Sequence, residues 1–354
     1  MNPLIRLKKM VGSLGRRYGG RPFQVVRGFC YDSLAFARQV HEVTYLWRKK
    51  FKPGSQNSEY CAKYYTAGGG HVAKEGIVCI CDGTLYHGGP TDRMRGILTT
   101  YREARRRGIP FYISWTSPFC LEDYLEPATF DWRIKPEELC RNTDEVFPLI
   151  IEDVPNSHSW MRLKAALHNR KPQTHIFTNG DNGIGHYAGL YREVFKPGKA
   201  LQAEVDKNLE AIGAPYTVFT FRFLQLLGDF KDWLQVTLSP EEADSLIARV
   251  DAEFLRLAAE VPAGQRILVT SDSKRYLDHV RGLDQRIYVV PGDVRNVDLL
   301  KEKAPDAWMK TFVDQQLIMR ASKVYLMRTG RMYKSGFPRF AAEVGGVPFV
   351  DHVF

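Results

Sequence analysis

Four short segments of the chain carry residue types suited to holding an anion. The first is His87-Gly88-Gly89-Pro90-Thr91-Asp92-Arg93. Its paired glycines let the backbone approach a ligand closely, and a helix that starts there offers unpaired N–H groups. A tight turn with Thr91 or Asp92 capping the helix accounts for the same residues. The second is Thr220-Phe221-Arg222, an arginine in an apolar run of Val218, Phe219, Phe221, Phe223 and Leu224. Burying that guanidinium requires an acidic partner or an anionic ligand. Asp229, after Gly228, is the acidic partner that sequence proximity suggests. The third is Thr270-Ser271-Asp272-Ser273, whose hydroxyls, carboxylate and N–H groups converge or simply cap a helix. The fourth runs from Arg328 through Arg331, Lys334, Ser335 and Gly336 to Phe337. Three cations, two hydroxyls and a helix start within ten residues make a cradle for a diphosphate.

These segments need a scaffold that brings strand ends together. Ile77–Cys81 and Phe111–Trp115 read as strands, with a helix between them whose buried stripe is Met94, Ile97, Leu98, Tyr101 and Ala104. That is a βαβ unit, and it implies a parallel sheet. Prolines at 118, 127, 136, 148, 155 and 172 break up the middle of the chain. There only Thr174–Phe177 reads as a strand, followed by the turn Asn179-Gly180-Asp181-Asn182-Gly183.

Regular alternation returns at Tyr216. Strands are expected over Tyr216–Phe223, Arg266–Thr270, Arg286–Val290, Lys323–Met327 and Val347–Val350. Helices are expected over Pro240–Val261, Ser273–Val280, Asp306–Ala321 and Phe337–Val344. Five strands separated mostly by helices form a Rossmann-like half, and three of the four segments then lie at the carboxyl ends of strands, where such sheets bind nucleotides. The division expected is a basic helical arm over 1–70, an N-terminal Rossmann-like domain over 71–200 and a C-terminal Rossmann-like domain over 201–354.

The 354 residues are 44% hydrophobic and 25% charged, the balance of a globular two-domain chain. Disordered, fibrous and disulfide-dense classes are excluded. No stretch reaches the roughly 20 apolar residues that cross a bilayer, and residues 1–20 lack a secretory apolar core. The expectation is a cytoplasmic protein. The six cysteines form no Cys-x-x-Cys pair, and Cys79 and Cys81 alternate along a strand, so they read as reduced core residues. Charge is concentrated at one end. In residues 1–50 eleven Lys and Arg stand against Asp32 and Glu42, a balance of +9 that leaves +1 for the remainder of the +10 total. Asp32 and Ser33 can cap a helix carrying Phe36, Val40, Val43 and Trp47. This arm reads either as a solvated helix or as a contact for an anionic membrane surface on the inner face, rather than for nucleic acid.

The run His87–Gly96 resembles the N-terminal glycine loop of the GT-B fucosyltransferase superfamily, which includes bacterial chitin-oligosaccharide, core α-1,6-, α-1,2- and protein O-fucosyltransferases. Arg222 stands where that superfamily has the arginine of a His-x-Arg motif. Thr270–Ser273 is similar to its Thr-Asp-Ser segment, and Ser335-Gly336-Phe337 to its Ser-Ser-Phe. Order and spacing agree from about Ile77 to Phe349. Three departures stand out: Thr220 replaces the histidine, Gly336 replaces the second serine, and Asp229 lies further from Arg222 than in the tightest versions.

The resemblance implies an α/β GT-B fold and an inverting transfer from GDP-fucose without a metal. In that reading Arg222 neutralises the leaving β-phosphate, and Asp272 and Ser273 hold the nucleotide with Ser271 and Asp229. Arg328, Lys334, Ser335, Gly336 and Phe337 line the phosphate side, while Gly88 and Gly89 face donor and acceptor. A diphosphate leaving group needs a divalent metal or fixed cations. The chain has no Asp-x-Asp and no His pair at metal spacing, so cations and helix ends are expected to do this work. Asp92 is the expected base toward the acceptor hydroxyl, with His87 and Glu75 behind it. The partners that follow are a nucleotide-sugar donor and an oligosaccharide or lipid-linked glycan of a surface polysaccharide. The alternatives are a GT-B enzyme for another nucleotide sugar, or a non-catalytic nucleotide- or anion-binding protein.

Overall fold

The computed structural model describes residues 56–85, 87–151, 163, 167–180, 186–230, 236–294 and 308–354. The arm over residues 1–50, with its expected helix, and most of the turn after Gly180 lie outside them. A short helix α1 (Gln56–Tyr64) leads into the first sheet. That sheet contains β1 (Gly76–Cys81), β2 (Phe111–Trp115), β4 (Val146–Ile151) and β5 (Gln173–Thr178) in the order β2-β1-β5-β4, all parallel. Helix α2 (Pro90–Arg107) makes the crossover between β1 and β2, and each residue expected in its apolar stripe is buried. β3 (Leu125–Pro127) and β6 (Phe195–Pro197) pair antiparallel beside it. Helices α3 (Ala188–Val194) and α4 (Lys199–Ile212) close this half.

The second sheet has the order β11-β10-β7-β8-β9 and is also wholly parallel. Its strands are β7 (Tyr216–Phe221), β8 (Arg266–Ser271), β9 (Ile287–Tyr288), β10 (Lys323–Arg328) and β11 (Phe349–Val353). Between them come α5 (Pro240–Ala258), α6 (Lys274–Val280), α7 (Met309–Ile318) and α8 (Phe337–Gly345). The expected elements of this half are present, with β7 ending two residues earlier and β9 reduced to two residues. Strands β1, β4, β5 and β7 are buried at every residue, as parallel strands covered on both faces must be.

The halves share one apolar core. Phe312 on α7 stacks on Tyr124 at 4.5 Å between ring centroids, and Phe119 meets both Trp308 and Phe312 at 5.5 Å. Phe340 on α8 packs on Tyr187 at 5.3 Å. Polar contacts follow the same seam: Tyr187 N donates to Glu343 Oε1 at 3.0 Å and Gln316 Nε2 to the Tyr191 hydroxyl at 3.1 Å.

Candidate functional site

Open α/β sheets bind ligands in the crevice where the connections between strands reverse direction. In the second sheet the reversal falls between β7 and β10, so the residues just beyond their carboxyl ends, Arg222 and the Thr329–Phe337 segment, line the crevice. The two are stitched together, since Tyr333 N donates to Arg222 O at 3.1 Å. In the first sheet β1 and β5 are neighbours, which brings the glycine loop after β1 against Asn179.

Arg222 is paired with Asp272, its Nε 3.3 Å from Oδ2, and lies over the Phe230 ring at 4.8 Å. Its side chain keeps 28% of its exposure while that of Asp272 is almost fully buried. Asp272 also accepts from Phe223 N at 2.8 Å and Leu224 N at 2.7 Å. Burial pushes this carboxyl up from its usual range, and the guanidinium opposes that. This corrects two expectations. Asp229 is not the partner of Arg222; it accepts from Ser273 Oγ at 3.0 Å and Arg275 N at 2.7 Å, at the start of α6. Asp272 is turned inward to orient the arginine, so its carboxylate is not available to a nucleotide.

Ser273, rather than Ser271 or Asp272, caps α6; its Oγ accepts from Tyr276 N at 3.0 Å, and the residue is buried. Ser271 stays half-buried at the strand edge, its Oγ accepting from Ser273 N at 3.1 Å. Thr220, in the position of the motif histidine, shares a 2.9 Å hydrogen bond with Thr270.

The fourth segment departs furthest from expectation. Arg328 makes a bidentate pair with Asp351, at 2.7 and 3.0 Å, because Asp351 sits two residues before its cross-strand partner on β11. Lys334 Nζ reaches the same carboxylate at 3.2 Å, and Arg331 pairs with Glu242 at 3.3 Å. Arg328 is therefore a structural ion pair rather than a phosphate ligand. Lys334 and Arg331 are exposed, and such surface pairs hold weakly. Ser335, Gly336 and Phe337 do form the expected helix start: Gly336 is the N-cap of α8 and Ser335 Oγ accepts from Phe337 N at 3.3 Å.

In the glycine loop Gly88 has φ 68°, a left-handed conformation that favours glycine. The helix cap is Gly89, with Pro90 following, and not Thr91 or Asp92. Arg93 is buried; its Nε donates to Gly88 O at 2.9 Å, its Nη1 to Ser117 O at 2.6 Å, and it lies over Trp115. It thus ties the loop to the end of β2. Asp92 reaches the crevice with 41% of its side chain exposed, and Arg95 Nη1 stands 3.6 Å from it. His87 is buried with Nε2 4.0 Å from Asp82 Oδ1. Burial notwithstanding, the nearby His87 ring, hydrogen bonds from Thr84 and the Arg141 guanidinium hold the Asp82 carboxyl well below its usual range. His87 supports the loop from beneath and does not face an acceptor. Glu75 precedes β1 at the opposite edge of the sheet, about 20 Å from the loop by strand length, and cannot serve as a base. Arg93 and Arg95 both lie in the run His87–Gly96, and their spacing alone does not separate the buried clamp from the residue at the crevice. Among the described residues no cluster of three or more His, Cys, Asp or Glu is placed to hold a metal.

Two Rossmann-like halves with their carboxyl edges meeting at one crevice are the GT-B architecture. Comparison with solved structures gives the same class. The chain is similar to NodZ alpha-1,6-fucosyltransferase soaked with GDP-fucose, at 15% identity and TM-score 0.51, covering 78% of this chain and 94% of that one. It is similar to fucosyltransferase NodZ from Bradyrhizobium at 15% identity and TM-score 0.50, covering 76% and 92%. POFUT1 in complex with GDP aligns at 10% identity and TM-score 0.49, covering 80% and 99%. No family model matches the sequence, and no curated protein matches it. The chain has the fold of the GT-B fucosyltransferases.

Proposed function

We propose that this protein is an inverting, metal-independent glycosyltransferase that moves fucose from GDP-fucose to a glycan acceptor. The observation that carries the reading is Arg222, held by buried Asp272 at the β7/β10 reversal, with its backbone bonded to Tyr333 in the loop that leads into α8. A guanidinium oriented by a carboxylate, in a crevice that a helix start also lines, suits a diphosphate that gains charge as it departs. NodZ, which shares the fold, has been soaked with GDP-fucose, and this supports that donor over others. In the step itself an acceptor oxygen attacks the anomeric carbon. The bond from that carbon to the β-phosphate oxygen breaks, GDP leaves with the bonding pair, and Asp92 takes the hydroxyl proton. Surface polysaccharide or its lipid-linked precursor is the acceptor class this reading favours, with the basic arm over residues 1–50 resting on the cytoplasmic membrane face.

A thermal-shift panel tests the donor. GDP at a hundredfold excess over its dissociation constant stabilises by about 2.7 kcal/mol, a rise of several degrees. UDP or CMP raising the melting temperature while GDP does not would move the reading to another nucleotide sugar. No response to nucleotides, alongside salt-dependent DNA binding, would support a non-catalytic anion-binding protein. Transfer activity is expected to be unchanged by EDTA. Loss with the chelator and recovery on adding Mg²⁺ or Mn²⁺ would remove the metal-free mechanism.

A further inference from the structure

Apart from Arg222, the second sheet's cations near the crevice are engaged elsewhere, Arg328 and Lys334 with Asp351 and Arg331 with Glu242. The cation lying against the phosphate-side loop comes instead from the other half. Arg95, on α2, packs so closely on Gly336 that a Cβ added there would stand 3.0 Å from Nη2 and 3.1 Å from Nη1. Gly336 has φ −78° and ψ −19°, a conformation open to any residue, so the backbone does not call for glycine. A methyl group there would instead require the guanidinium to give way by a few tenths of an ångström.

The placement is electrostatically incomplete. Arg95 is 17% exposed and faces the start of α8, which carries the positive end of the helix dipole. Its Nε is buried without a hydrogen-bond partner; beside the guanidinium are the exposed carboxylate of Asp92 at 3.6 Å and the Phe340 ring, whose centroid is 6.0 Å away. A cation pressed against a positive helix end, with an unsatisfied N–H, is balanced by an anion bound between them.

Resting on the donor reading above, we infer that Arg95 is a ligand of the donor's diphosphate supplied across the domain boundary, and that residue 336 is glycine to admit it. The hydroxyl that a serine at 336 would offer is replaced by a guanidinium arriving through the same space. Arg95 thereby couples the two halves: it touches Asp92 on the acceptor side and the phosphate loop on the donor side.

Calorimetric titration of the full chain with the nucleoside diphosphate selected by the thermal-shift panel tests this. Arg95→Met is expected to weaken binding about tenfold or more, and Arg95→Lys less. Gly336→Ala, which displaces the guanidinium, is expected to weaken binding as well. The Arg95→Met/Gly336→Ala double variant binds no worse than Arg95→Met alone, because the added methyl then has nothing to displace. Melting temperatures of the unliganded variants near the wild-type value show that affinity, not folding, has changed. Wild-type affinity in Arg95→Met overturns the inference, and so do losses that simply add in the double variant. A wild-type chain that binds no nucleoside diphosphate overturns the donor reading, and the inference with it, whereas binding that survives Arg95→Met overturns the inference alone.

Discussion

Arg222→Ala lowers kcat by about a hundred- to a thousandfold, the range for removing one fixed donor from a developing oxyanion. The loss appears in kcat because the charge to be stabilised is greatest as the bond to the β-phosphate oxygen breaks. Lysine at 222 keeps the charge without the planar fork, and recovers only part of the rate. Steady-state kinetics with GDP-fucose checks this, and an alanine variant that turns over like the wild type would sink the assigned role.

The same substitution carries a pH signature that identifies Asp272 as the positioning residue. Asp272 is buried, and burial raises its pKa while Arg222 lowers it. Without the guanidinium the folded-state pKa climbs further above the unfolded value of about 4. Between those two values the native state holds a proton that the unfolded state has released, so stability falls as pH rises through the window. The variant's melting-temperature deficit is therefore small near pH 4 and grows toward neutrality, where the cost is about 2 kcal/mol. Adding Asp272→Asn removes that pH dependence while activity stays lost. A deficit independent of pH in Arg222→Ala would mean that the pair does not hold the carboxylate's charge.

This pair also marks the limit of what spacing reveals. The four anion segments were legible because strand-loop-helix junctions put glycines, hydroxyls and cations at recognisable offsets, and the β7–β11 half was legible because its apolar runs alternate with amphipathic helices. Ion-pair partners were not legible, because cross-strand register decides them. Phe221 lies opposite Ser271, so the next residues, Arg222 and Asp272, become neighbours although fifty positions separate them, whereas Asp229 only looks near along the chain. Arg328 meets Asp351 by the same rule on β10 and β11. The middle of the chain was obscured by proline. Pro148 sits inside β4, where it would break a central strand, but β4 is an edge strand with one neighbour, and an edge tolerates the missing N–H. Helix α4 is not legible in the sequence either, because its buried side is only Leu201, Val205, Asn208 and Ile212, a sparse stripe between Gly198 and Gly213.

Phe312→Ala is expected to cost about 3–5 kcal/mol, the range for deleting a buried phenylalanine from a packed core. The ring is 1% exposed, stacks on Tyr124 at 4.5 Å with an interplanar angle of 8°, and meets Phe119 edge-on at 5.5 Å. Both partners belong to the first half and Phe312 to the second, so the cavity opens in the seam between them. Because the apolar cluster is continuous across that seam, the wild-type chain unfolds in one cooperative transition, and the variant's transition moves down as a unit or splits into two. Phe312→Leu, which refills part of the volume, recovers part of the loss. Activity falls further than stability alone accounts for, since the contact between Arg95 and Gly336 also spans the seam and depends on the halves keeping their spacing. Differential scanning calorimetry of both variants checks the first point. A wild-type trace with two separate transitions, only one of which responds to Phe312→Ala, would mean that the halves fold independently and that the crevice is assembled by docking rather than by a shared core.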